Sequence, residues 1–94
     1  MRVTVRLPGA LRELAGGERA IELELAEAAT VRDLLAAMAV SWPGIERRIR
    51  DETGVLRPHV NVFVGDTNVR DLGGQDTELA DDAQVQVIPA VSGG

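Results

Sequence analysis

Polar and apolar residues alternate from Arg2 to Leu7. Val3, Val5 and Leu7 face one way and Arg2, Thr4 and Arg6 the other, the period of a half-buried strand. Pro8-Gly9 stops this strand, and Gly16-Gly17 marks a second turn. Ala10 to Ala15, between them, read as a helical turn or an irregular loop. Ile21, Leu23 and Leu25 then alternate with Glu22 and Glu24. Two strands joined by so short a connection predict an antiparallel hairpin.

The period then changes. Val31, Leu34, Leu35 and Met38 fall at i, i+3, i+4 and i+7, the stripe of an amphipathic helix. Thr30 is placed as its N-cap, with Asp33 three residues on, where a capping-box acid belongs. The helix is expected to fail by about Val40, ahead of Trp42-Pro43-Gly44. Pro43 opens a short second helix with Ile45 and Ile49 as its buried pair. Arg47, Arg48 and Arg50 fall near one another and read as a solvated helix face, with an acidic partner as the alternative.

Asp51 to Pro58 is a polar loop from which Val55 and Leu56 tuck back toward the core. Val60, Val62 and Val64 alternate with Asn61 and Phe63, predicting a third strand. Gly65-Asp66 turns into a short strand around Asn68 to Arg70, followed by a loop through Gly73-Gly74. A last strand carries Val85 and Val87 against Gln84 and Gln86, reaches Ile88 and ends at Pro89, because proline cannot donate to a ladder.

The order is a hairpin, one main helix with a helical turn after it, then three strands. This is an α+β arrangement. A β-grasp, or ubiquitin-like, roll suits it best: a mixed sheet covered by one main helix, with the first and last strands side by side in parallel. The domain then spans residues 1–89, and residues 90–94 form a flexible C-terminal tail ending in Gly-Gly.

Composition narrows the chemistry. The chain has 94 residues, enough for one small domain. It is 45% hydrophobic but only 2% aromatic, so the core must be aliphatic. The 15 acidic residues outnumber the 10 basic ones, for a net charge of −5. That balance argues against nucleic-acid and anionic-membrane partners. No stretch approaches the roughly 18 apolar residues of a membrane span, so a cytoplasmic protein is expected. Without cysteine there are no disulfides, thiol nucleophiles or Cys-ligated metals. His59 is the one histidine; without a candidate nucleophile near it in sequence, it reads as structural. Asp81-Asp82 reads as an acidic turn rather than a metal site. No glycine-rich segment has phosphate-loop spacing. Neither a metal nor a cofactor is expected, and the chain is not read as an enzyme.

What remains is the terminus. Gly93-Gly94 lack Cβ atoms and pass through channels too narrow for other residues, and Gly94 would present an α-carboxylate. A carboxylate is a poor electrophile until adenylated, and a partner must bind the ATP.

Val60-Asn61-Val62-Phe63-Val64, then Val69-Arg70, Gly74, Thr77, Leu79 and the ending Val87-Ile88-Pro89-Ala90-Val91-Ser92-Gly93-Gly94 resemble the MoaD/ThiS family of ubiquitin-like sulfur carriers. Arg12-Glu13-Leu14-Ala15-Gly16 is similar to the same stretch of the molybdopterin-synthase small subunit. The likeness covers nearly the whole chain and is greatest to the actinobacterial carriers of cysteine biosynthesis. Asn68, where an acidic residue is usual, and Asp82-Ala83, in place of an Asp/Gly turn, depart from that pattern.

The resemblance implies that an E1-like adenylyltransferase activates the Gly94 carboxylate and that sulfur transfer makes it a thiocarboxylate. The acceptor would be a PLP-dependent cysteine synthase, or the molybdopterin synthase large subunit; a ubiquitin-like protein modifier is the further alternative. Gly93, Ser92, Val91, Ile88 and Phe63 are the expected partner-binding residues. Phe63 alternates away from the core valines and Ile88 sits just before the tail. The competing placement puts Phe63 under a loop and Ile88 in the core.

Overall fold

A computed structural model describes residues 1–89. Strand β1 (Arg2–Arg6) is followed by a one-turn helix α1 (Gly9–Arg12), a 3-10 turn (Glu13–Ala15) and strand β2 (Ala20–Glu24). Helices α2 (Val31–Ser41) and α3 (Pro43–Ile49) come next, then β3 (Val60–Val64), β4 (Thr67–Asn68), two 3-10 turns (Val69–Asp71 and Gly74–Asp76) and β5 (Ala83–Pro89). The stretch Ala10 to Ala15 is thus helical throughout.

The strands form one sheet in the order β2-β1-β5-β3-β4. β1 and β2 pair antiparallel, with Val5 opposite Ile21. β1 and β5 run parallel, Val5 opposite Val85, and β5 pairs antiparallel with β3, Val62 opposite Val87. The first and last strands therefore lie side by side at the sheet centre, as the β-grasp arrangement requires.

Alternation decides which face is dry. Val3, Val5, Ile21, Val60, Val62, Val85 and Val87 are buried together with Val31, Leu34, Leu35 and Met38 of α2 and Ile45 and Ile49 of α3. Aliphatic side chains fill this single layer between sheet and helices, and it supplies the main folding drive. Thr30 caps α2 as predicted: its hydroxyl accepts from the Asp33 N–H at 3.3 Å, while Asp33 accepts from the Thr30 N–H at 2.9 Å. Pro43 stands in the first turn of α3, where its missing N–H costs nothing.

Three expectations change. Arg50 does not belong to a solvated cluster; it is buried, and its Nε donates to Glu46 Oε2 at 2.8 Å. Its Nη1 also donates to Gln75 Oε1 at 3.1 Å. Arg50 ends α3 in extended conformation and bridges to Leu56, which draws its side chain inward while Arg47 and Arg48 stay exposed. Second, only Leu56 tucks back; Val55 is exposed, since the turn after Asp51 points the two in different directions. Third, the short strand stops at Asn68. Asn68 Oδ1 accepts from the Arg70 N–H at 2.9 Å, and this cap bends the backbone into a 3-10 turn that takes in Arg70.

Candidate functional site at the end of the last strand

β5 is held on both sides, by β1 and by β3, and its ladder with β3 continues to Pro89, which lies opposite Val60. The chain therefore leaves the sheet from a central strand that stays paired with β3 to its last described residue. Pro89 is tolerated there because it occupies the final ladder position. Gly94, Gly93, Ser92 and Val91, expected to carry the chemistry and its grip, lie outside the described residues, as does the proposed 90–94 segment as a whole.

Phe63 and Ile88 are placed on the sheet face opposite the helices. Phe63 lies across from Gln86, and Ile88 across from Asn61, so the two are diagonal neighbours on one face. Ile88 is 39% exposed, outside the core. Phe63 is half-buried, between the two placements considered for it. Their surroundings are polar: Gln84, Gln86, Asn61, and Asn68, whose side-chain amide donates to Asn61 Oδ1 at 3.1 Å. An apolar pair in a polar field, directly before the exit of the chain, is the form of a protein contact.

On the helix side of the same exit lies a cavity of about 170 Å³. Buried Leu11, Val60 and Val87 form its floor; Ala10, Arg48, His59 and Pro89 form its exposed rim. In sequence Arg48 reads as part of a solvated helix face, with an acidic partner as the alternative, and His59 as structural; nothing local relates the two. α3 and the start of β3 bring them together across a loop, and no local spacing signals that meeting. Arg70, also missed, ties this corner down: its Nη2 donates to Arg57 O at 2.9 Å and to Val60 O at 2.8 Å.

The neighbouring loop carries a shifted carboxyl group. The Thr53 hydroxyl and the Val55 N–H both donate to Asp51, and these bonds, with the Arg57 charge, hold its carboxyl below the usual aspartate range against a partial opposing effect of burial. Among the described residues no group of three or more His, Cys, Asp or Glu is placed to hold a metal ion, and no helix is long and apolar enough to cross a membrane.

The ThiS family model matches residues 5–94. The chain belongs to this family. It is 35% identical over 96 residues to the sulfur carrier protein CysO of Mycobacterium tuberculosis, covering all of both chains. It is 33% identical over 94 residues to small archaeal modifier protein 3 of Haloferax volcanii, again covering all of both. Among solved structures, a chain of the Amycolatopsis orientalis BexX/CysO complex superposes with a TM-score of 0.83 at 36% identity, covering 98% of this chain and 99% of that one. The match to the family model takes in the exit strand and runs to Gly94.

Proposed function

We propose that this ThiS-family chain is a sulfur carrier that works at Gly94 as a substrate of partner enzymes. The Gly94 carboxylate attacks the α-phosphate of ATP on an E1-like adenylyltransferase, releasing pyrophosphate and forming an acyl-adenylate. A sulfide equivalent then displaces AMP to leave a thiocarboxylate. The soft, ionised sulfur is a nucleophile, and it attacks an activated acceptor on a further enzyme. The likeness to CysO favours a PLP-dependent cysteine synthase as that enzyme over the molybdopterin synthase large subunit.

The observation that supports this best is the exit strand. β5 is paired with β1 as far as Gln86 and with β3 as far as Pro89, which gives the five following residues a point of departure held by the sheet. At no more than ~3.6 Å per residue they reach about 18 Å into a partner. Activation by proximity needs such an anchored donor. Phe63 and Ile88 supply the apolar grip beside it. Residues 1–89 serve as the docking domain and residues 90–94 as the delivered arm.

Intact mass spectrometry after incubation with ATP, sulfide and the adenylyltransferase tests the proposal. The mass should rise by the difference between one sulfur and one oxygen atom, with the change localised to Gly94, and a variant lacking Gly94 should show none. An unchanged mass alongside a competent activating enzyme defeats the reading.

The likeness to an archaeal modifier supports a second use of the same adenylate, isopeptide transfer to target lysines. Covalent adducts in native extract that disappear with Gly94 distinguish it from pure sulfur delivery.

A further inference from the structure

The cavity beside the strand exit is too small for an ordinary small-molecule ligand. Pockets for such ligands run from about 300 Å³ upward, and this one is about 170 Å³. It matches a single side chain: an apolar cavity of about 150 Å³ is enough to take a benzene ring. Its floor is aliphatic, and its rim carries a guanidinium and an imidazole.

The charge around it runs against the rest of the molecule. The chain carries −5 overall, yet Arg47, Arg48, Arg57 and Arg70 gather at this corner. Arg57 Nε donates to Arg47 O at 2.9 Å, and Arg70 donates to Arg57 O. Among the described residues none of the four lies within 4 Å of a carboxylate; the ion pairs formed by arginines are those of Arg2, Arg32 and Arg50. Of the acids on the neighbouring segments, Glu46 holds Arg50 and Asp51 takes the Thr53 and Val55 donors. The corner thus offers four arginines without a close ion pair among the described residues, Arg57 acting on the Asp51 carboxyl only from beyond that distance.

We infer that this corner is a docking socket for an acidic segment of a partner protein, which seats one aliphatic side chain between Leu11, Val60 and Val87 and sets its carboxylates against Arg48 and its neighbours. Charge complementarity selects the acidic partner. The position of Pro89 on the rim makes the socket continuous with the point where the chain passes to that partner. The inference rests on the carrier reading only for the partner's identity as an enzyme that handles the tail; the mass shift at Gly94 tests that reading without involving the socket. The socket lies on the helix side of β5, whereas Phe63 and Ile88 lie on the other face. A partner gripping both would clamp the exit strand from two sides, with the apolar socket supplying affinity and the arginines supplying approach and orientation.

The test is an amide-resolved NMR titration of the full chain with the capped peptide acetyl-Glu-Asp-Leu-Glu-Asp-amide. Saturable shifts should centre on Leu11, Arg48, His59 and Val60 and shrink as salt is raised. Arg48→Glu should weaken the peptide about tenfold or more, the scale of one lost ionic contact plus one repulsion. Ala10→Phe, a change on the exposed rim, should block entry of the leucine while leaving the spectrum of a folded protein. A peptide with serine for leucine should bind more weakly. Equal binding of the version with lysines for its acids, indifference to Arg48→Glu, or no saturable shift would overturn the inference. So would shifts at the same amides on removing residues 90–94 from the free chain, since the socket would then belong to the chain's own tail.

Discussion

Arg50 Nε meets Glu46 Oε2 at 2.8 Å, one helical turn apart, and both side chains are nearly nine-tenths buried. Out of water such a pair is held by its mutual charge and its remaining hydrogen bonds, here to Gln75. Gln75 in turn donates to Gly54 O at 2.9 Å, so one arginine links α3, the following loop and the 3-10 turn at Gly74–Asp76. Glu46→Ala leaves a buried guanidinium without its counter-charge and is expected to cost about 3 kcal/mol. The double variant Glu46→Ala/Arg50→Met should recover much of that loss. Urea denaturation of the three proteins checks the order; equal loss in the single and double variants would contradict it.

The cap of α2 offers a smaller effect. Thr30→Ala removes the oxygen that accepts the Asp33 N–H, and the capping scale sets the cost at about 1 kcal/mol. Thr30→Ser should keep nearly all of the stability. Thermal melts of the two variants separate loss of the cap from loss of the methyl group.

Asp51 makes the fold acid-sensitive in a definite direction. Its carboxyl is held lower in the folded chain than in the unfolded one, chiefly by the Thr53 hydroxyl. The folded state therefore binds the proton less readily, and the stabilisation is complete above the unfolded value of about 3.9. It declines as the pH falls from there through the lowered folded value. Asp51→Asn should flatten this part of the stability-versus-pH curve while leaving the curve above pH ~5 parallel to that of the parent. Chemical denaturation at closely spaced acidic pH values reads it, and an unchanged acid limb in the variant would refute it.

Ile88 separates docking from folding. It is partly exposed on the open sheet face, and Ile88→Thr keeps the β-branched shape suited to a strand. The expected cost in stability is below about 1 kcal/mol. If the Phe63 and Ile88 pair is the grip for the activating enzyme, the same change should raise the KM for adenylation about tenfold with kcat kept. Pyrophosphate-exchange kinetics measure both, and an unchanged KM would remove Ile88 from the interface.

Most of the element order follows from local pattern. Strand periods of two, the helical stripe of Val31, Leu34, Leu35 and Met38, the Thr30 cap and the Pro43 start are written in consecutive residues, because backbone geometry repeats over a few residues. The hairpin and the placing of the last strand beside the first were also legible, since short connections and one crossing helix leave few ways to cover a single apolar face. The Gly-Gly ending was visible as a string of letters.

Tertiary structure alone decided where side chains from distant segments meet. Arg47, Arg48 and Arg50 look alike along the chain, yet the extended turn at Arg50 buries it against Glu46 and Gln75 while its neighbours stay in water. Arg48 and His59 share a rim because α3 lies over the strand that His59 precedes. Phe63 and Ile88 become neighbours only through the register that sets Asn61 opposite Ile88. Periodicity records which face a residue takes on its own element, but the crossing of elements and the register of strands depend on the summed packing of the core. No window of local sequence contains that sum.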